Sequence, residues 1–163
     1  MGSLRTANLI SAIALIFAVG QAAAFDLDQV MRDTADSFVR PAYSSFAEES
    51  KQLLSAQKQL CALPSSANAD AAKTAFAGAA LSWANAEVFR AGPVVEDNRL
   101  ERVLFYPDRK GTGLKQVQAA LAASDETVTD ATELAGKSVA MQGLGALEFV
   151  LFGTGSEALE TTD

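Results

Sequence analysis

The chain has 163 residues, of which 49% are hydrophobic and 20% charged, a composition typical of one folded domain rather than of a disordered or collagen-like chain. Its 13 basic and 20 acidic residues give a formal net charge of −7. Binding to nucleic acid is therefore not expected, because it depends on neutralisation of phosphates by Lys and Arg. The sequence has no histidine, which excludes the Ser-His-Asp hydrolase triads and the HExxH zinc proteases.

The first 24 residues are predicted to form a secretory signal peptide. Arg5 supplies a positive charge before the apolar run of residues 9–19, and the alanines at 22–24 offer a signal-peptidase site. An uncleaved membrane anchor is the alternative, but the apolar run is short for a membrane span. We therefore expect a mature chain that begins at Phe25, lies in the periplasm or cell envelope and is not an integral membrane protein.

Cys61 is the only cysteine of this predicted exported chain. An odd cysteine in an oxidising compartment has three interpretations: an inert buried thiol, a partner on another chain, or a partner in missing sequence. The sequence leaves these three open.

Apolar residues recur at helical spacing along the mature chain, and no alternating strand pattern is found. Asp26 is placed to cap a first helical stretch, which Pro41 interrupts. Because a residue before proline is disfavoured in the α region, Arg40 predicts two collinear helices or one kinked helix. A turn at residues 63–66 then leads into an alanine-rich helix that is predicted to run to about Arg90.

The second half of the chain is predicted to hold a long charged connection and two further helical regions. The connection covers residues 94–112, and Thr112 is a candidate cap for a short helix over 114–123. A last helical region over 126–152 is apolar on nearly all sides after residue 138, as expected of a central buried helix. The predicted fold class is all-α, an antiparallel helix bundle.

Glu148 is the charged residue of the apolar segment 143–153. Burial of an unpaired carboxylate is costly, so we expect it to meet a cation, a metal, hydrogen-bond donors or water, or to be protonated. Gly145 lies one turn earlier on the same helical face and would leave room there for another helix or a small ligand.

A structural interpretation of the same residues stays open. Glu148 would then form a buried ion pair with an arginine, while the two glycines would serve close helix packing only. The candidate partners are Arg90, Arg99 and Arg102.

The long connection also carries candidate ligands. Four acidic residues lie there without the spacing of an EF-hand, and arginines and a lysine interleave with them, so a solvated surface of mixed charge is favoured over a calcium site. These acidic residues are Glu96, Asp97, Glu101 and Asp108. Tyr106 is a candidate phenolate ligand for iron, although a lone tyrosine beside a proline is more often structural.

Three motifs, taken in order, resemble the imelysin-like family of exported bacterial envelope proteins, which are built from helical bundles. They are Arg90-Ala91-Gly92-Pro93, Tyr106-Pro107-Asp108, and Gly143-Leu144-Gly145-Ala146-Leu147-Glu148-Phe149. Members of that family commonly carry Gly-x-His-x-x-Glu at the last position, which was proposed to bind a metal and was once taken as a peptidase signature. Gly143 and Glu148 match that pattern here, whereas Gly145 stands at the position of the histidine.

The resemblance implies a non-enzymatic binding or accessory component of metal acquisition, with iron as the metal. The ligand-binding candidates are Glu148, Gly145, Gly143, Arg99 and Asp108, and Glu148 is the candidate metal ligand. Two alternatives stay open: a metal-dependent peptidase-like protein, and a helical interaction module without a small-molecule ligand. The family pattern continues into a second bundle, so residues 25–163 are expected to be incomplete, and the partner would be that missing half or another envelope protein.

Overall fold

The computed structural model describes residues 26–161, which are helical with no β-strand in that range. The all-α fold class is therefore confirmed. The helices are α1 (Leu27–Thr34), α2 (Arg40–Ala62), α3 (Ser66–Ala86), α4 (Arg99–Val103), α5 (Thr112–Ala122), α6 (Ala131–Ala135) and α7 (Gly143–Phe152). A π-helical segment, Ala35–Val39, joins α1 to α2, and short 3-10 segments lie at Gly92–Asn98, Glu126–Val128, Val139–Met141 and Ser156–Glu160. The predicted signal peptide lies outside the described residues and stays a prediction.

Pro41 does not separate two helices. Arg40 has φ −60° and ψ −47°, so it stays in the α region, and the prediction that it leaves that region is wrong. The π-helical segment ends immediately before Arg40. Proline lacks an N–H and crowds the carbonyl one turn earlier, and a wider turn at that place relieves both problems. The chain therefore follows the single-helix alternative, with a π-helical turn as its irregularity.

The antiparallel pair of α2 and α3 supplies most of the core. Ser65 caps α3, since its hydroxyl accepts a hydrogen bond from the backbone N–H of Asn68 at 3.3 Å. One face of α3 is buried and alternates small with aromatic side chains, which lets the neighbouring helix approach closely. The buried residues of this face are Ala69, Ala72, Phe76, Ala79, Trp83 and Ala86. The rings of Phe46 and Trp83 meet with their centroids 5.0 Å apart.

The three faces of α7 lie in different surroundings, although its sequence is apolar nearly all round. Leu144 and Leu151, two turns apart, are its buried residues and belong to the core. The other side chains are half-buried or exposed. The prediction of a central buried helix is therefore wrong, because α7 spans ten residues and borders open clefts on two sides.

The N-terminal helix presents an apolar stripe that the described part of the chain does not cover. Every residue from 26 to 34 is exposed. The stripe consists of Leu27, Val30, Met31 and Phe38, each at least 40% exposed. Large apolar side chains grouped in this way on a helix are typical of a contact surface.

The structure differs from the predictions for the connection 94–112, for Thr112 and for Cys61. The connection 94–112 is partly helical, since it contains most of one 3-10 segment and all of α4. Thr112 does not cap α5 with its side chain. Cys61 is exposed and free, so the interpretation as a buried thiol is wrong. No helix between residues 26 and 161 has the length and the apolar character needed to cross a membrane.

Candidate functional site

Glu148 lies exposed on α7, so the expectation that its carboxylate is buried is wrong. It lines a cleft of about 480 Å³ between α7 and the segment 104–108, which we call the Glu148 cleft. It also lines a side pocket of about 170 Å³ together with Trp83 and Glu87. Its carboxylate makes no hydrogen bond or ion pair with any residue of the described range 26–161. An accessible, unpaired carboxylate at a concave surface is available to a ligand.

The interpretation of Glu148 as half of a buried ion pair is not supported. Arg90 pairs with Glu87 at 3.2 Å, which is a contact within one helical turn. Arg102 donates to Oε1 of Gln142 and to two backbone carbonyl oxygens, and it pairs with no carboxylate in the part of the chain that the structure describes.

Arg99 lies outside the Glu148 cleft. Its guanidinium pairs with Asp97 at 3.0 Å and with Glu96 at 3.5 Å, and it donates to the carbonyl oxygen of Pro93 at 2.8 Å. These contacts are exposed and local, as predicted for a solvated surface of mixed charge. Arg99 therefore holds the 3-10 segment at the start of the connection and is not brought together with Glu148.

Gly145 lines the same cleft as Glu148, in agreement with their spacing of one helical turn. A Cβ built on Gly145 would meet only the Cδ1 of Leu104, at 3.9 Å, which is an ordinary van der Waals contact. Space therefore exists above Gly145 for a ligand atom or for a larger side chain.

Gly143 has a different role. Its φ is +69°, a conformation that L residues rarely adopt, and it starts α7. A Cβ at this position would overlap the backbone carbonyl oxygens of Arg102 and Val103. Gly143 lines the cleft on the opposite side of α7 and not the Glu148 cleft. Its role is to let the backbone turn at the start of α7 and pass close to Arg102 and Val103.

Asp108 lines the Glu148 cleft, but its carboxylate is already engaged. The backbone N–H groups of Thr112 and Gly113 donate to its two oxygens, each at 2.8 Å. The hydrogen bond from Thr112 is the main reason that the pKa of Asp108 lies below its ordinary value, with Gly113 adding to it and desolvation opposing it. Asp108 thus caps α5 and fixes one wall of the cleft.

The Glu148 cleft is also lined by residues that the sequence motifs did not predict to lie together. Tyr106 lines it with 78% of its surface exposed, and Phe105 and Phe149 contribute aromatic walls. Gln142, which sequence reasoning missed, lines this cleft and the one across α7. The sequence signal for this role was the position of Gln142 immediately before Gly143. A polar side chain at that position can form hydrogen bonds with the segments that precede α7.

The described residues do not form a conventional metal centre. Between residues 26 and 161 no group of three or more Asp, Glu, Cys or His side chains is close enough to hold a metal ion. Glu148 offers one free carboxylate, and Asp108 is occupied by backbone donors. A metal with protein ligands alone is therefore not what this cleft fits.

The sequence matches a known protein family. A family model described as Imelysin (Peptidase_M75) matches residues 39–163, which is more than half of the chain. Neither the curated proteins nor the solved structures include a match to this sequence.

Proposed function

Because the chain belongs to the imelysin family, we propose that it is an exported binding component of metal acquisition that does not catalyse a reaction. The observation that carries this proposal is the pairing of Glu148 with Gly145 in one cleft. The carboxylate is accessible and unpaired there, and the glycine leaves room beside it.

The cargo that suits this cleft is a metal ion that arrives as a chelate, with most of its coordination positions already occupied by another molecule. One carboxylate supplies one ligand position, and iron commonly needs six. Tyr106 is a second oxygen donor that lines the same cleft, and the aromatic rings of Phe105 and Phe149 suit the organic part of a chelate. The choice of iron as the metal follows from the family resemblance.

Export is part of the proposal and rests on residues 1–24. Their charged, apolar and small-residue regions follow the order of a cleaved signal peptide. N-terminal sequencing of the protein from the periplasm is expected to give Phe25 as the first residue. Recovery of the intact Met1 or Gly2 terminus from membranes would contradict this.

A fluorescence titration tests the binding function. Trp83 is the single tryptophan and lines the side pocket beside Glu148, so a bound ferric complex is expected to quench it. Ferric citrate should give saturable quenching with the wild type and with the control Glu157→Gln, whose exposed carboxylate lies outside the cleft. Glu148→Gln should weaken binding at least tenfold. Equal quenching of all three proteins, or none, would contradict the proposal.

A second candidate is a helical interaction module, favoured by the stripe of Leu27, Val30, Met31 and Phe38. We take a second copy of the chain as the partner, because two identical apolar helix faces can pack along each other. Sedimentation equilibrium of the mature protein should then show a dimer that Met31→Glu together with Phe38→Glu converts to a monomer. A wild type that stays monomeric at high concentration would remove this candidate.

A further inference from the structure

A second cleft lies on the opposite side of α7 from Glu148 and belongs to no motif. It has a volume of about 590 Å³, within the range of small-molecule sites, and we call it the apolar cleft. Its walls come from α2, α5 and α7, and include Phe46, Leu53, Val117, Leu121, Leu147 and Val150. Of its sixteen lining residues, Arg102 and Gln142 are the two with polar side chains.

The alternation of side chains along α7 separates the two clefts. Ala146, Leu147 and Val150 face the apolar cleft, whereas Gly145 and Glu148 face the Glu148 cleft. Residues three and four apart share one face of a helix, so the two sets lie on opposite faces. A ligand in the apolar cleft therefore has no direct contact with the Glu148 carboxylate.

The guanidinium of Arg102 is held by hydrogen bonds to neutral acceptors and forms no ion pair within residues 26–161. It donates from Nη1 to the carbonyl oxygen of Ala135 at 2.9 Å and to Oε1 of Gln142 at 3.2 Å. It also donates from Nε to the carbonyl oxygen of Asp97 at 3.3 Å. These acceptors are neutral, and no carboxylate of residues 26–161 lies within 4.0 Å of the guanidinium. No ion pair with residues 26–161 therefore neutralises the guanidinium, which lines the apolar cleft.

The acceptors of Arg102 are themselves fixed. Gln142 is buried and donates from Nε2 to the carbonyl oxygen of Lys137 at 2.8 Å, so its Oε1 is oriented toward Arg102. The guanidinium atom Nη2 has no hydrogen-bond acceptor among the described residues. The N–H groups of Nη2 therefore stay free to donate a charge-assisted hydrogen bond to an oxygen of a carboxylate.

We propose that the apolar cleft binds an amphipathic anion, specifically a free medium-chain fatty acid, with its carboxylate on Arg102 and its alkyl chain along α7. The charge of Arg102 selects the head group, and the aliphatic walls take the chain. The site is independent of the proposed function at Glu148, since it uses the other face of the same helix.

Titration of the wild type with three ten-carbon compounds tests the proposal without any variant. The compounds are decanoate, decanol and decyltrimethylammonium, each below its aggregation concentration. Trp83 is again the reporter, because its ring lies 5.0 Å from that of Phe46, which lines the apolar cleft. Decanoate should bind with saturation and at least tenfold more tightly than the cationic compound, with the alcohol between them.

Chain length gives a second readout on the same protein. Each further methylene buried between octanoate and decanoate should strengthen binding roughly threefold to fourfold, as the transfer of a CH₂ group from water predicts. Arg102→Gln should reduce the preference for the anion over the alcohol, whereas the control Arg109→Gln, at an exposed arginine outside the cleft, should retain it.

Three results would overturn the proposal. They are the absence of saturable decanoate binding, an affinity for the cationic compound equal to that for decanoate, and a decanoate signal that disappears as the protein dimerises. The last result would show that the apolar cleft is an interface between copies of the chain.

Discussion

Arg102 donates a hydrogen bond from Nη1 to Oε1 of Gln142 at 3.2 Å, across forty positions of sequence. This contact ties α4 to the residue that precedes α7. Gly143 follows at once, with a φ of +69°, and a Cβ at this position would overlap the carbonyl oxygens of Arg102 and Val103. The start of α7, and with it the direction of Glu148, is therefore set by α4.

The two motif glycines are expected to respond in opposite ways to alanine. Gly143→Ala should lower the free energy of unfolding by more than about 1 kcal/mol, because the left-handed conformation penalises a Cβ and the backbone of α4 blocks it. Gly145→Ala should leave stability unchanged or raise it by up to about 1 kcal/mol, because alanine is a better helix former than glycine. Urea denaturation of both variants measures the difference. Equal effects would show that Gly143 is not held against α4.

Neutralisation of Glu148 is expected to leave the fold intact. The carboxylate is exposed and unpaired within residues 26–161, so Glu148→Gln should change the free energy of unfolding by no more than about 0.5 kcal/mol. Thermal and urea unfolding of the apo protein give this value. A loss of several kcal/mol would mean that Glu148 compensates a buried charge, as in the ion-pair interpretation.

The sequence predicted the fold class and the common cleft of Gly145 and Glu148, because both follow from helical periodicity over a few residues. It did not predict the exposure of Glu148. An apolar helix next to open clefts has the same composition as one at the centre of a bundle, and only the packing of α4 and α5 distinguishes them. The contact between Arg102 and Gln142 could not be predicted from the sequence either, because the two residues are forty positions apart and meet only in the folded chain.

Removal of the Asp108 carboxylate is expected to change how stability depends on pH. The pKa of Asp108 lies below its ordinary value of 3.8 in the folded state, chiefly because Thr112 donates to it. Its contribution to stability is therefore fully present above pH 3.8 and is lost as the pH falls below 3.8 through the lower folded value.

Asp108→Asn should consequently be less stable than the wild type at neutral pH, and the gap should narrow below pH 3.8. Asp130→Asn is the control, because Asp130 also caps a helix by accepting from the N–H groups of Thr132 and Glu133, but lies away from the Glu148 cleft. Unfolding midpoints measured from pH 7 to pH 2.5 give the comparison. A gap for Asp108→Asn that is constant over this range would contradict the cause given for its pKa.

Restoration of a histidine in the motif is expected to create a site for a transition metal. Gly145 has room for a larger side chain, and Glu148 follows three residues later on the same face. Gly145→His should thus gain a Zn²⁺-dependent rise in Tm that is absent from the wild type and from the double variant with Glu148→Gln. A folded Gly145→His protein without that rise would show that the two side chains do not converge.

If Glu148 holds a metal-containing cargo in its cleft, that cargo should purify with the protein, where native mass spectrometry combined with elemental analysis detects it. The measurement is made on wild type and Glu148→Gln, expressed with residues 1–24 and purified in parallel. We predict a wild type that carries iron within an additional mass larger than that of the ion alone, and a variant that folds equally well but lacks both. Iron and additional mass of the same amount on both proteins, or on neither, would show that Glu148 does not hold such a cargo.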